Sequence, residues 1–471
     1  MRIALIFPPS LYQTKETMPP LGLAWLAAVL RKEGYDDVYI IDSVINKYDN
    51  KRVVEILKEK GADIIGLSFG TQNRFYAFEL AKLIKENFPL TPLVAGGPHP
   101  TLTAEDTLRH IKAIDMIVRG EGEVTFLELV KSIGRNADVS SIKGLSYRNS
   151  SGDIIHNVTR EPIADLDKMP WPARDLLPIN EYRQTIPLSS KICTSIISSR
   201  GCPYNCVYCS TAEQWGHNIR YRSAKNVVDE IEYLLKTYEL DGVGFFDDCF
   251  TMNKQRVIAI CKEIIERKLN VGWWCEARAN NIDEEIVDWM KKAGCEHIAM
   301  AAESGSDEIL KKIKKAITVA QVIAAVKIIK KAGIKLKVFF MHGLPGETYQ
   351  DIKKTVYLSR YLENILGVEE TTQTLTMIYP NTEIEREAKK IGALLADFSW
   401  AEMFEEKRSY PPLVSCVNVP IFEAPGMEYE KIFKFARRAK IEYYLSHPRF
   451  SLRKLLKNRK NIIKWFTTKT S

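Results

Sequence analysis

Short apolar runs alternating with amphipathic segments, twice over, constrain this chain more than any other feature. In residues 1–135 the runs fall at 3–7, 38–41, 64–69, 93–95 and 116–118. Between them lie segments such as 23–32 and 75–87, apolar at three- and four-residue spacing, the period of a helix with one buried face. Five strands separated by helices imply parallel connections, and a parallel sheet must be covered on both faces. The fold class is therefore α/β. From 139 to 188 the pattern breaks into short polar pieces with Gly and Pro, which reads as a hairpin plus a linker. Alternation then resumes, with strand candidates at 195–199, 243–247, 272–276, 297–302, 335–341 and 374–378. Six βα units in a row suggest a closed or partly closed parallel barrel with its chemistry at the strand ends. The expected units are 1–138, 139–188, 189–384 and a small α-rich cap at 385–471.

Turn chemistry sits where the first five strands should end. It reads Pro8-Pro9, Ser68-Phe69-Gly70-Thr71, Gly96-Gly97-Pro98-His99-Pro100 and Gly120-Glu121-Gly122-Glu123. Ligands of open parallel sheets bind beyond the carboxyl ends of the strands, so these turns form a candidate rim.

Composition removes other classes. With 45% hydrophobic and 27% charged residues the chain is ordinary globular material, not disordered or fibrous. No stretch approaches ~18 uninterrupted apolar residues, so a spanning helix is not expected. The opening MRIALIFPPS carries too short an apolar run for a signal peptide and reads as a buried strand, which favours the cytoplasm. The net charge of +8 is concentrated at one end: residues 447–471 hold eight Lys or Arg and no acid, and the remainder is balanced. A basic body for nucleic acid is not indicated. The tail has Leu452, Leu455, Leu456, Ile463 and Phe466 on one helical face. It suits either packing on the barrel or peripheral contact with an anionic membrane or lipid-like substrate.

Nine cysteines in a chain without a secretory signal argue for metal or redox chemistry rather than a disulfide framework. Six stand alone, and Cys249, Cys275 and Cys295 read as packing thiols. The other three, Cys202, Cys206 and Cys209, lie in the segment Ser199-Arg200-Gly201-Cys202-Pro203-Tyr204-Asn205-Cys206-Val207-Tyr208-Cys209-Ser210, on the expected catalytic rim. Zinc usually asks for four ligands, and no fourth follows at zinc-ribbon spacing. An iron–sulfur cluster held by three thiolates keeps one iron open. Zinc with a distant fourth ligand remains the alternative.

The spacing Cys202-x3-Cys206-x2-Cys209 after a barrel strand resembles the signature of the radical S-adenosylmethionine (SAM) enzymes. That resemblance implies a 4Fe–4S cluster on the three thiolates, with SAM chelating the open iron and being cleaved to a 5′-deoxyadenosyl radical. It continues along the barrel: Phe245-Phe246-Asp247-Asp248, Glu276-Ala277-Arg278, Ala302-Glu303-Ser304-Gly305-Ser306 and His342-Gly343-Leu344-Pro345-Gly346-Glu347 end successive strands. The SAM-binding residues it implies are Tyr208, Asp247, Asp248, Arg278, Glu303, Ser304, Gly343 and Glu347. A zwitterionic sulfonium ligand wants carboxylates, an Arg and glycines, although each of these polar residues could equally cap a helix.

Residues 1–135 resemble the Rossmann-like cobalamin-binding domain that precedes the barrel in one branch of that family, the branch of cobalamin-dependent methylases and magnesium-protoporphyrin ester cyclases. The implied cobalamin residues are Pro8, Ser68, Gly70, Thr71, Gly96, Gly97, His99, Gly120 and Glu121. The chain lacks Asp-x-His-x-x-Gly, having no His before His99, so no His from that motif would meet the cobalt. His99, between prolines, reads as a turn residue. The resemblance implies either methylation of an unactivated carbon or radical cyclisation or rearrangement of a porphyrin- or lipid-like molecule. An external electron donor of the flavodoxin or ferredoxin type is implied in both. A non-enzymatic iron–sulfur or zinc scaffold is the rival of another class. No motif identifies the substrate.

Overall fold

The structure is a computed structural model that describes residues 1–10, 14–402 and 419–447. The first sheet contains β1 (Ile3–Phe7), β2 (Val38–Asp42), β3 (Ile64–Ser68), β4 (Leu93–Gly96), β5 (Met116–Val118), β6 (Leu145–Arg148) and β7 (Ile154–His156), in the order β2-β1-β3-β4-β5-β6-β7. The first five strands are parallel, as their helical crossovers require. Alternate residues divide between two cores. Ala4, Ile6, Ile65, Leu67 and Ala95 face one helical layer, while Ile3, Leu5, Ile64 and Val94 face the other. This is the two-sided burial that unbroken apolar runs dictate. The expected hairpin exists as β6 and β7, and it extends the first sheet antiparallel to β5.

A short ribbon, β9 (Ser199–Arg200) with β10 (Arg220–Tyr221), leads into the second sheet's loops. That sheet is wholly parallel and runs β15-β14-β13-β12-β11-β8, with β8 at Cys193–Ile196, β11 at Gly242–Phe245, β12 at Gly272–Ala277, β13 at Cys295–Glu303, β14 at Lys335–His342 and β15 at Glu370–Leu375. It is a partial (β/α)6 barrel. Its outward residues, among them Phe245, Trp273, Cys275, Ile298, Met300, Val338 and Phe340, form one continuous core with the helices. Helix starts follow local chemistry: Thr318 and Gln321 form a capping box before Val319–Lys331, as do Thr348 and Asp351 before Tyr349–Asn364.

Two expected positions shift. The first barrel strand stops at Ile196, so the cysteines follow the ribbon strand β9 rather than β8 itself. The sixth strand runs 370–375 instead of 374–378, because its Glu-Thr-Thr-Gln-Thr stretch is a polar edge strand and the apolar run lies beyond it.

Segments between the sheets lock them together. Arg174, in the linker, reaches the Ser195 carbonyl at 2.8 Å and Glu230 at 2.9 Å, and Tyr182 donates to Asp42 at 2.6 Å. Trp400 joins the first sheet to the helix Glu383–Lys390: its indole donates to Glu385 at 2.9 Å and its carbonyl accepts from Arg74 at 2.8 Å. Among the described residues no helix is long and apolar enough to cross a membrane. The tail at 448–471, with the expected membrane contact, lies outside the described residues.

Candidate functional site at two facing rims

The cysteine loop is fixed at both ends. Gly201 has φ +103°, and a Cβ there would stand 2.6 Å from the Asn218 carbonyl oxygen, so only glycine enters the loop without strain. Val207 N–H donates to the Ile313 carbonyl at 3.2 Å, and Cys209 N–H to Cys206 at 3.0 Å. Burial raises the Cys202 and Cys209 thiols above their ordinary pKa, and the neighbouring thiolates and Asp248 add to it. Among the described residues no three His, Cys, Asp or Glu side chains converge as ligands of one ion must. Cys249, Cys275 and Cys295 are buried free thiols, as their surroundings in sequence suggested.

Beside the loop, the barrel mouth forms a charged recess. Tyr208, between Cys206 and Cys209, donates to Glu303 at 2.7 Å, and Lys315 meets Glu303 at 2.9 Å and Tyr208 at 3.1 Å. Glu303 itself has φ +61°, and Lys314 and Ala316 on either side of Lys315 have φ +55°. Three residues held in the left-handed region around one ion pair is a concentration of backbone strain of the kind that collects at functional sites. Asp248 accepts from Thr211 at 3.2 Å; water reaches it, yet the surrounding protein pushes its carboxyl up to about 6. Glu276, at the end of β12, is solvent-reached and pushed up to about 7 by its enclosure and by Asp248. It makes no hydrogen bond or ion pair among the described residues. Arg278 stacks over Tyr204, 3.5 Å from the ring centroid, and donates to the Lys315 carbonyl.

The other expected SAM residues are occupied in turns. Asp247 accepts from the Ser198 amide and hydroxyl at 2.7 and 2.6 Å and from Ser199. Ser304 pairs with Thr355 at 3.2 Å, and Glu347 accepts from the Gly343 amide at 2.6 Å. Gly343 has φ +76° and needs to be glycine for that turn. These residues shape the rim, while Tyr208, Asp248 and Glu303 face the recess. Lys315 and Glu276 join them there. Sequence reasoning missed Lys315, which sits in a run of lysines that looks like a solvated face. An open, unpartnered carboxylate beside a lysine fits a ligand carrying a cationic sulfonium and ammonium together with a carboxylate.

Above the first sheet's carboxyl rim lies a cavity of about 260 Å³. Ser68, Gly96, Gly97, Gly120 and Glu121 line it, together with Phe7, Trp25 and Phe126. Its walls are mostly apolar, and it is floored by glycines packed too closely for a side chain: a Cβ on Gly66 would stand 2.9 Å from Leu5, and one on Gly97 2.8 Å from the Ser68 hydroxyl. A glycine-floored apolar hollow at a topological rim fits the bulky apolar parts of cobalamin. Pro8, Gly70, Thr71 and His99 are not among its lining residues. His99 belongs to the short helix Pro98–Leu102, not a turn, and is fully buried against Phe69, Phe78 and Trp400 with Nδ1 3.1 Å from the Thr71 hydroxyl. Burial, with Arg74 adding to it, holds this imidazole well below its ordinary pKa.

The barrel contributes Ile197, Arg200, Gln214 and Trp215 to the same cavity. Arg200 is buried, meets Glu121 at 3.2 Å and Glu123 at 2.7 Å, and lies 4.8 Å from the Trp25 ring centroid and 5.2 Å from that of Trp215. Arg220 also pairs with Glu121, at 2.5 Å. Glu121 thus serves as the pivot of a buried ion-pair group that fastens one rim to the other.

Two family models match the chain in these regions: the B12 binding domain over residues 12–130 and the radical SAM superfamily over residues 196–358. An uncharacterized methyltransferase of Pyrococcus horikoshii is 34% identical over 98% of this chain and 96% of its own length. The chain is a B12-domain radical SAM enzyme. The anaerobic magnesium-protoporphyrin IX monomethyl ester cyclase of Rubrivivax gelatinosus is 32% identical over 73% of the chain, which spans 62% of that cyclase. In fold, the chain resembles the radical SAM methyltransferase TsrM from Kitasatospora setae, solved with cobalamin and a 4Fe–4S cluster, at TM-score 0.68 and 20% identity over 82% of this chain and 76% of that one. Its cofactors are accordingly a 4Fe–4S cluster, SAM and cobalamin.

Proposed function

We propose that this enzyme methylates an unactivated carbon of a small or lipid-like molecule. The observation that carries the reading is the shared wall. Arg200 and Trp215, on either side of the cysteine loop, border the glycine-floored cavity, which supports a cluster and a cobalamin held beside one another. When bound, the cluster with SAM supplies a hydrogen-abstracting radical and cobalamin supplies a transferable methyl group. Cys202, Cys206 and Cys209 hold the cluster. Lys315 receives the SAM carboxylate while Asp248 and Glu276 face its cationic end, and Tyr208 holds Glu303 and Lys315 in register. Ser68, Gly97 and Gly120 seat cobalamin. An external donor of the flavodoxin or ferredoxin type supplies electrons. The Pyrococcus relative, matched over nearly its whole length, is named a methyltransferase, whereas the chain spans about 60% of the cyclase.

The test is anaerobic turnover of reconstituted enzyme with methyl-labelled SAM and fractionated metabolite extract. Methylation yields 5′-deoxyadenosine and S-adenosylhomocysteine together, with label in one extract component. Deoxyadenosine formed in response to a fraction, without adenosylhomocysteine or label transfer, would replace methylation by cyclisation or rearrangement.

A further inference from the structure

The loop that carries the three cysteines is strung between two pieces of the cobalamin cavity wall. Before it stands Arg200, two residues from Cys202; after it runs the helix Thr211–Trp215, which ends in Trp215. Arg200, Gln214 and Trp215 all line the cavity. The Arg200 guanidinium is sandwiched between Trp215 and Trp25 and tied to Glu121 and Glu123 on the opposite rim. Between Arg200 and Cys202 there is little slack. Arg200 pairs with Arg220 in the ribbon, Gly201 is pressed on Asn218, and the Cys202 amide meets the Gly216 carbonyl at 3.4 Å.

We propose that Arg200 is a positioning residue coupling the two cofactor sites, so that cobalamin in the first-sheet cavity sets the geometry of the cysteine loop. The physical route is short. A ligand filling the cavity packs against Trp25, Trp215 and the Glu121–Glu123 turn, the same groups that hold the guanidinium. Arg200 is 3% exposed at the side chain, as are its two carboxylate partners to within a few per cent. Ion pairs this enclosed are weakly screened and tolerate little misalignment, because separating them leaves charge buried without a partner. Displacement of the guanidinium is therefore passed to the backbone of Gly201 and Cys202 rather than absorbed by solvent. Coupling of this kind requires a differential contact at each end, and the shared wall supplies both.

The inference rests on cobalamin occupying this cavity, and the experiment separates the two. Full-length protein is reconstituted with its cluster, then reduced with and without hydroxocobalamin. Cobalamin binding is read from its visible absorbance, and the cluster from its electron paramagnetic resonance g-values and its reduction midpoint. In the wild-type protein, bound cobalamin is expected to shift both cluster readouts. In Arg200→Met the shift disappears when cobalamin is supplied at a concentration that saturates its absorbance, whatever the change in affinity; Arg200→Lys, which keeps charge without the planar stack, restores only part of it. Should Arg200→Met fail to fold, Trp215→Leu is read by the same criterion, since it removes one side of the sandwich while leaving both ion pairs. A wild-type cluster indifferent to bound cobalamin, or a shift retained in the Arg200 and Trp215 variants, overturns the coupling. Absence of cobalamin binding in the wild type overturns the placement on which it rests.

Discussion

The two rims of this molecule are built by the same rule and furnished oppositely. Each is the carboxyl edge of a parallel sheet. The first is furnished sparely: Gly66, Gly96, Gly97 and Gly120 line a hollow among apolar walls. The second is furnished by charge, with Asp248, Glu276, Glu303, Lys315 and Arg278 around the cysteine loop. A large cofactor such as cobalamin would need volume, and the glycine-rich rim is the one that borders a cavity. A small zwitterion needs opposed charges and receives them where strand ends converge. Fold class alone would not have separated the two, because ligand specificity resides in what each rim carries.

Substitutions can break this division of labour, in decreasing order of effect. Replacing Cys202, Cys206 and Cys209 by Ala should abolish iron–sulfur absorbance and SAM cleavage while leaving cobalamin absorbance in the purified protein. A triple variant that keeps its iron–sulfur spectrum would remove the cluster assignment. Gly97→Ala places a Cβ 2.8 Å from the Ser68 hydroxyl on a backbone of φ +92°. It should cost about 1–3 kcal/mol of stability and weaken cobalamin retention at least tenfold, with the SAM affinity of the cobalamin-free variant equal in dialysis to that of cobalamin-free wild type. Loss of both ligands together would mean that the rims are not independent in their furnishing. Glu276→Gln should weaken SAM binding roughly fivefold, about 1 kcal/mol, with cobalamin content intact; an unchanged SAM dissociation constant would take Glu276 out of the site.

The smallest effect concerns protons. Each half holds a buried imidazole whose pKa is lowered: His99, well below its ordinary pKa, and His297, lowered to about 4 by burial with Lys337 adding to it. The unfolded chain protonates both below about pH 6.5, and the folded chain resists. Their contribution to stability should therefore be full above pH 6.5 and decline as pH falls from there toward 4, by up to about 1.4 kcal/mol per pH unit for each group, while Asp248, Glu276 and His342, whose pKa values are raised, contribute in the opposite direction. The difference in denaturant midpoint between wild type and His297→Leu, read at pH 7 and 5, isolates the His297 share: from pH 7 to 5 the variant should lose less stability than the wild type. An identical slope in that variant would assign the effect elsewhere.

Strand positions were legible because buried parallel strands are continuous apolar runs, and the exception proves the mechanism: β15 reads Glu-Thr-Thr-Gln-Thr-Leu, is an edge, and lies several residues before the nearest apolar run. The cysteines were legible because their spacing is local. Asp247, Ser304 and Glu347 were placed correctly at strand ends, yet a sequence cannot tell a carboxylate aimed at a ligand from one aimed at its own turn. Arg200, Trp25, Trp215 and Lys315 were unreadable as site residues for a different reason. Their role exists only once chain segments far apart in sequence are folded together, and no periodicity marks it.

The buried guanidinium groups also bear on modularity. Arg174, outside the barrel in sequence, shares Glu230 with Arg222, and side chains of the first pair are 1% exposed. A barrel expressed from residue 189 onward would lose Arg174 from Glu230 and strip Arg200 and Arg220 of Glu121 and Glu123. Breaking one such pair costs about 3–5 kcal/mol, a large part of the stability of a typical domain. The two regions match separate family models, but here they share buried charges, and any recombination of this barrel with another leading domain has to bring matching carboxylates with it.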